Sequence, residues 1–224
     1  MKAAVVVFPG TTCDFDAYDA LKEGVGVDTE YVFYQTRDLS KYSLVVLPGG
    51  FTYGDYLRSG AIASRTPILD AVRDYVEKEW GFVVGICNGF QILTESRILP
   101  GALTRNHTNA FICKPVGLRI ANAETPFTEE FEPGERLSLP IAHADGRYVA
   151  DPATLQRLHK NRQVFLVYDP ENPNGSVDNI AGITNEKQNV FGLMPHPERF
   201  WHPWLGSDIG IRFFRSLVRR VRHG

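Results

Sequence analysis

Three short stretches carry side chains whose types and spacing fit them for chemistry: 85-GICNG-89, 195-PHPE-198 and 48-PGG-50. In the first, a cysteine stands between two glycines, after an apolar β-branched run and before Phe90, Ile92 and Leu93 at helical spacing. That is the setting of a nucleophile elbow, in which a strained strand-to-helix turn exposes the nucleophile at the strand end. A helix starting behind Cys87 offers partial positive charge and free N–H groups. These favour a thiolate and supply one oxyanion donor, the N–H of Asn88. A buried structural cysteine is the competing reading. The flanking glycines and the following Asn-Gly-Phe-Gln favour the nucleophile.

A thiol nucleophile needs a base. His196 lies between Pro195 and Pro197, directly after the strand-like run VFGLM. The prolines disfavour helical conformations for Met194 and His196 and fix their own φ, so an extended segment is predicted. Residues i and i+2 of an extended chain share a side, which would let Glu198 orient the imidazole and stabilise its protonated form. The competing reading is a surface loop whose prolines merely end a strand. Among the other histidines, His107, His159 and His223 lie in polar or terminal stretches and read as solvated. His202, among Trp201, Pro203 and Trp204, reads as packing or a partner surface. His143, between a strand-like run and a turn, is the remaining candidate to line a site. The Pro-Gly-Gly turn ends the run SLVV and exposes N–H groups, so that near Gly50 can complete an oxyanion hole with Asn88. Cys13, in PGTTCDFD, lacks flanking glycines and reads as structural or incidental.

These residues need elements to hold them. The runs AAVVVF, TEYVFY, SLVVLP and GFVVGI are short and continuously apolar, as expected of strands buried on both faces of a parallel sheet. Helical segments fit between them: Asp14 to Lys22, and a helix opened by Thr66 as N-cap and Pro67 in its first turn. From Phe111 onward the runs FICKPVGLRI and RLSLPIAHADGRYV, with turns at Pro-Gly and Asp-Gly, predict an antiparallel insertion or an extension of the sheet. The runs IAGIT and VFGLM read as a strand pair. Ile211, Phe214, Leu217, Val218 and Val221 form the apolar face of a terminal helix, leaving its arginines as the solvated face. The expected fold is α/β: a mixed, mostly parallel central sheet flanked by helices, with a small antiparallel insertion, in one domain over residues 1–224.

The chain has 24 basic and 26 acidic side chains in 224 residues, a balance that argues against a nucleic-acid or membrane surface. No apolar stretch reaches bilayer length and the N-terminus has no secretory pattern, so a cytoplasmic protein is expected. Three cysteines with no CxxC fit neither a disulfide framework nor a zinc cluster, and no metal site is expected. The Asn-x-Ser/Thr triplets at Asn106 and Asn174 mean little without a secretion signal. No GxxxxGK[ST] is present, and Thr29 replaces the third glycine of a GxGxxG begun by Gly24 and Gly26, so no nucleotide site is read.

Together G-x-C-x-G-x-Q (Gly85, Cys87, Gly89, Gln91), the Pro-Gly-Gly turn and Pro-His-Pro-Glu resemble the class I glutamine amidotransferases, which have a flavodoxin-like sheet. Within them FPGTTCDFDAYDA, VLPGGFTYGDYLRSGAIA and NGSVDNIAGITNEKQNVFGLMPHPER are similar to the small glutaminase subunits of phosphoribosylformylglycinamidine synthases. The resemblance implies Cys87 as nucleophile, His196 as base and Glu198 as its orienting acid, with an oxyanion hole from Gly50 and Asn88. Gln91, Phe51 and His143 would shape the L-glutamine pocket. It implies no cofactor on this chain, ATP and magnesium on a large synthetase subunit, and a small third subunit. One departure is His143-Ala144-Asp145-Gly146, where the family has His-Gly-Glu-Gly. Two other functions compete. A self-sufficient cysteine hydrolase would take its acid from before the histidine, with Asp169 or Asp178 the candidates. A catalytically silent scaffold is the other; the intact Cys87, His196 and Glu198 argue against it.

Overall fold

The computed structural model describes residues 1–223; Gly224 and the side chain of His223, read above as solvated, lie outside the described residues. In chain order the elements are β1 (Lys2–Val7), α1 (Asp14–Asp19), β2 (Asp28–Phe33), β3 (Leu44–Leu47), α2 (Pro67–Glu77), β4 (Phe82–Ile86), α3 (Asn88–Glu95) and β5 (Ala102–Thr104). Then follow β6 (Ile112–Ile120), β7 (Arg136–His143), β8 (Arg147–Val149), α4 (Pro152–Lys160), β9 (Val164–Tyr168), β10 (Ile180–Thr184), β11 (Val190–Leu193) and α5 (Ile211–His223). Nine strands form one sheet in the order β2-β1-β3-β4-β11-β10-β9-β6-β7, and β5 pairs with β8 apart from it.

The first five strands of that order are parallel, with Val5 opposite Val46, Val46 opposite Val84 and Gly85 opposite Gly192. The other four pairings are antiparallel. The expected mixed sheet is therefore present. The small antiparallel element is the β5–β8 pair, while β6 and β7 extend the main sheet.

Continuous apolarity and burial agree in β3 and β4, where Leu44–Leu47 and Val83–Ile86 are buried, because helices cover both faces. TEYVFY departs from this. As β2 it is the sheet edge, and Phe33 stays exposed. Helix α2 begins at Pro67 as predicted, but Thr66 does not cap it: the hydroxyl donates backward to the Ala63 carbonyl at 2.6 Å. Helix α5 buries Ile211, Phe213, Phe214, Leu217 and Val218, and sets Arg215 and Arg219 against Glu130 on the outside. No helix among the described residues is long and apolar enough to cross a membrane. Asn106 and Asn174 are buried.

Parallel strands have their carboxyl ends at one edge of a sheet, where open α/β folds gather their ligand-binding loops. Here the segments after β1, β3, β4 and β11 meet at that edge.

Candidate active site

Cys87 follows β4 directly and precedes α3, with φ 51° and ψ −105°, a region that residues other than glycine rarely occupy. The strain of the turn rests on the cysteine itself, not on its neighbours. The two glycines serve close packing instead: a Cβ on Gly89 would lie 1.9 Å from the Leu47 carbonyl oxygen, and one on Gly85 2.7 Å from the Gly89 carbonyl. Helix α3 can thus press onto β3 and β4. Contrary to the expected exposure, Cys87 is only 4% accessible. The end of β7 covers it, and the thiol donates to the Ala142 carbonyl at 3.6 Å.

The histidine and carboxylate expected beside it are paired. His196 Nδ1 and Glu198 Oε1 are 2.6 Å apart, and both residues are buried. The local conformation differs from the extended one predicted, because Pro197–Arg199 forms a 3-10 turn that returns Glu198 under the ring. Proline's fixed φ suits the first position of such a turn, so the second proline starts a turn instead of prolonging a strand. The His196 N–H donates to the Pro140 carbonyl of β7 at 2.9 Å, and the Cys87 N–H to Leu193 of β11 at 2.8 Å. Burial alone would push the imidazole down. Glu198, Cys87 and contacts with the sulfurs of Cys13 and Cys87 outweigh it and hold His196 well above the ordinary histidine range.

Gly49 passes against this group. A Cβ there would come within 2.8 Å of His196 Cε1, 3.1 Å of Cys13 Sγ and 3.5 Å of Cys87 Cβ. Its carbonyl accepts from the N–H groups of Thr12 and Cys13 at 3.2 and 3.1 Å. In a trans peptide the following N–H, that of Gly50, points the other way. No backbone acceptor takes it among the described residues, and the Asn88 N–H, first in α3, has no intrahelical partner.

The remaining candidates surround this centre. Asn88 Nδ2 donates to Gln91 Oε1 at 2.8 Å and Asn88 Oδ1 accepts from the Thr52 N–H at 3.1 Å, tying the start of α3 to the loop after β3. Gln91 Nε2 donates to the Asp145 backbone carbonyl at 2.6 Å. The shortened side chain at 145 therefore leaves that contact intact, and its carboxylate accepts from Ser59 at 2.8 Å. Phe51 is half exposed and packs against Phe111, ring centres 6.2 Å apart. His143 is buried at the end of β7 with Nδ1 against Asn106 Oδ1 at 3.1 Å and Nε2 without a partner. Burial, with His196 nearby, pushes its imidazole down to about 4.

Asp169 and Asp178 lie elsewhere: Asp169 pairs with Arg136 at 3.0 Å and Asp178 with His159 at 2.8 Å. His202 sits between the rings of Trp201 and Trp204, and Trp204 is 93% exposed. Three residues that the sequence did not point to as site residues lie beside the site: Arg199, Asn106, whose triplet carries no site signal, and Cys13, read as structural or incidental. Cys13 Sγ accepts from Arg199 Nη2 at 3.2 Å beside the His196–Glu198 pair. Its only sequence signal is its place at the start of a helix that follows a strand.

Comparison with known proteins matches residues 1–212 to the model of the CobB/CobQ-like glutamine amidotransferase domain. The chain is 51% identical over 226 residues to phosphoribosylformylglycinamidine synthase subunit PurQ of Methanosarcina barkeri, covering 97% of each chain. The protein of the same name from Methanosarcina mazei is 52% identical over the same share of both. Among solved structures, a chain of PurLQS from Thermotoga maritima matches with a TM-score of 0.90 and 45% identity, covering 98% of each.

Proposed function

The chain belongs to the CobB/CobQ-like glutamine amidotransferase domain family, and from that premise we propose that it is the glutaminase subunit of a phosphoribosylformylglycinamidine synthase. It hydrolyses L-glutamine to glutamate and ammonia. The ammonia serves the ATP-dependent conversion of formylglycinamide ribonucleotide to its amidine in purine biosynthesis. The likeness to PurQ proteins over nearly the whole chain supports the pathway. The observation that carries the chemistry is the convergence of a strained Cys87 at a helix start with a buried His196–Glu198 pair.

Cys87 Sγ attacks the side-chain amide carbon of glutamine, and the thiol proton resides on His196. The tetrahedral oxyanion accepts from the N–H groups of Gly50 and Asn88. Collapse breaks the C–N bond, His196 returns the proton to the departing ammonia, and a thioester to Cys87 remains. His196 then takes a proton from water, which attacks the thioester carbon; collapse breaks the C–S bond, releases glutamate and returns the proton from His196 to the Cys87 sulfur. Glu198 keeps Nδ1–H oriented throughout. Gln91, Phe51 and His143 bound the pocket, Gln91 by holding the 145 backbone in place.

The partners are a large synthetase subunit, which holds ATP and magnesium, and a small third subunit, all in the cytoplasm. No cofactor is assigned to this chain. The exposed 201–206 segment is a candidate contact. A glutamine-derived electrophile should label Cys87, read by peptide mass; labelling of another cysteine would overturn the mechanism. In the assembled complex Cys87→Ala should abolish amidation from glutamine and leave that from ammonium. The cysteine-hydrolase alternative has no geometric support, since Asp169 and Asp178 pair away from His196.

A further inference from the structure

Glu198 stands in an exacting electrical position. It is fully buried, its Oε1 accepts from His196 Nδ1 at 2.6 Å, and its Oε2 has no hydrogen-bond donor among the described residues. A carboxylate taken out of water and left with one donor depends on nearby fixed charge to remain an anion. When one proton is shared between an imidazole and a carboxylate in such a place, the ion pair and the neutral pair compete. The surrounding field decides which side holds the proton.

The 3-10 turn that returns Glu198 under the ring carries a positive charge one residue further. It closes with the Arg199 N–H donating to the His196 carbonyl at 3.3 Å. The Arg199 guanidinium donates through Nη2 to Cys13 Sγ at 3.2 Å and pairs through Nε with Asp16 at 3.5 Å. That sulfur and a Glu198 carboxylate oxygen lie within 4.8 Å of each other, so the guanidinium is within about 8 Å of the carboxylate, near enough for the two charges to interact. Burial works against a charged guanidinium; the Cys13 sulfur, Glu198 and Asp16 outweigh it and hold Arg199 above its ordinary range.

We propose that Arg199, held in place by Cys13, is a positioning residue for the catalytic pair: its fixed positive charge keeps Glu198 an acceptor and so keeps the shared proton on His196 Nδ1. The consequence reaches the chemistry through the far edge of the ring. With a proton held on Nδ1, Nε2 is a strong enough acid, as imidazolium, to protonate departing ammonia, and a bare lone pair when it takes a proton from thiol or water. If that proton moved to Glu198, the ring would keep its other proton on Nε2 as a neutral imidazole, a far weaker acid and no base. Sulfur is a weak acceptor, so Cys13 fixes the place of the guanidinium and leaves its charge for Glu198. Asp16 is half exposed, and solvent screens its share.

The effect on rate rests on reading this chain as a glutaminase; the place of the proton does not, so the two are measured apart. In the full chain labelled with 15N-histidine, His196 Nδ1–H should give a low-field proton resonance with a full one-bond coupling to nitrogen. In Arg199→Met that coupling should fall as the proton moves towards Glu198. Arg199→Lys, which keeps the charge, should restore it, with circular dichroism native in both variants. An unchanged coupling in Arg199→Met would overturn the proposal. In the assembled complex Arg199→Met should lower the glutaminase kcat roughly ten- to thirty-fold with KM for glutamine kept, the size expected of one charge at about 8 Å in an effective dielectric near 20. Arg199→Lys should recover most of that loss. In a Glu198→Gln background Arg199→Met should cost nothing further, and a loss of the same size there would show that Arg199 acts elsewhere and overturn the proposal.

Discussion

The two halves of the nine-stranded sheet do different work with similar residues. In the parallel half, β2-β1-β3-β4-β11, every chain segment leaving the strands' carboxyl ends arrives at one edge. Cys13, Gly49, Gly50, Cys87 and His196 all sit on those segments. In the antiparallel half, β10-β9-β6-β7, strand ends alternate between edges and the apolar mass is large. In the connection between β6 and β7, Phe127 is fully buried between Phe165 of β9, Phe213 and Phe214 of α5, and Phe191 of β11 at the seam of the two halves, with ring centres 5.0–6.3 Å away. Direction of strand travel, more than residue type, decides which half hosts chemistry. The antiparallel half still completes the site, because β7 returns over it with Pro140, Ala142 and His143.

That division can be broken from either side. The largest effect belongs to the edge: Glu198→Gln should lower the glutaminase rate roughly a hundred- to ten-thousand-fold while the folded state persists, and Asp178→Asn should leave the rate near wild type, both read by steady-state kinetics. Next comes the aromatic mass. Phe127→Ala should cost about 3–5 kcal/mol in urea unfolding, with Cys87 labelling unchanged in the protein that remains folded. If Phe127→Ala destroyed labelling without loss of stability, the two halves would not be separable.

A smaller effect sharpens the contact between them. His143, on the returning β7, has its imidazole held down to about 4 in the fold. A histidine depressed on folding binds fewer protons folded than unfolded, so its share of stability is complete above about pH 6.5 and is lost as pH falls towards 4. His143→Asn should flatten that acid limb by on the order of 1–3 kcal/mol, measured as melting temperature against pH. The smallest effect lies outside: Arg219→Ala, which removes one exposed arginine from Glu130 and leaves Arg215 facing it, should change stability by no more than about 0.5 kcal/mol.

Much of this was legible in the residues and some was not, for physical reasons. Strands β3 and β4 could be read because burial on both faces demands continuous apolarity. TEYVFY carries the same signature at an edge, since edge position depends on which partners arrive later in the chain. Cys87 was singled out through its glycines, although they serve helix packing and the strain sits on the cysteine. The pairing of His196 with Glu198 was found through an extended geometry that the protein replaces with a 3-10 turn; two residues of separation allow both. Cys13 reads as structural or incidental because its neighbours in sequence report only a helix start, and its place against His196, Glu198 and Arg199 emerges only in the fold. Gln91 was placed in the pocket, but its tie to the Asp145 carbonyl is a backbone contact that no side-chain pattern encodes.

The positive φ at Cys87 has a consequence for the durability of the molecule. A side chain held at φ 51° costs the fold on the order of 1–3 kcal/mol, and only glycine would lift that cost. Among substitutions at this position, Cys87→Gly should therefore melt higher than Cys87→Ala. A laboratory selection that rewarded heat resistance alone would drift towards glycine at 87 and discard the enzyme while preserving its shape.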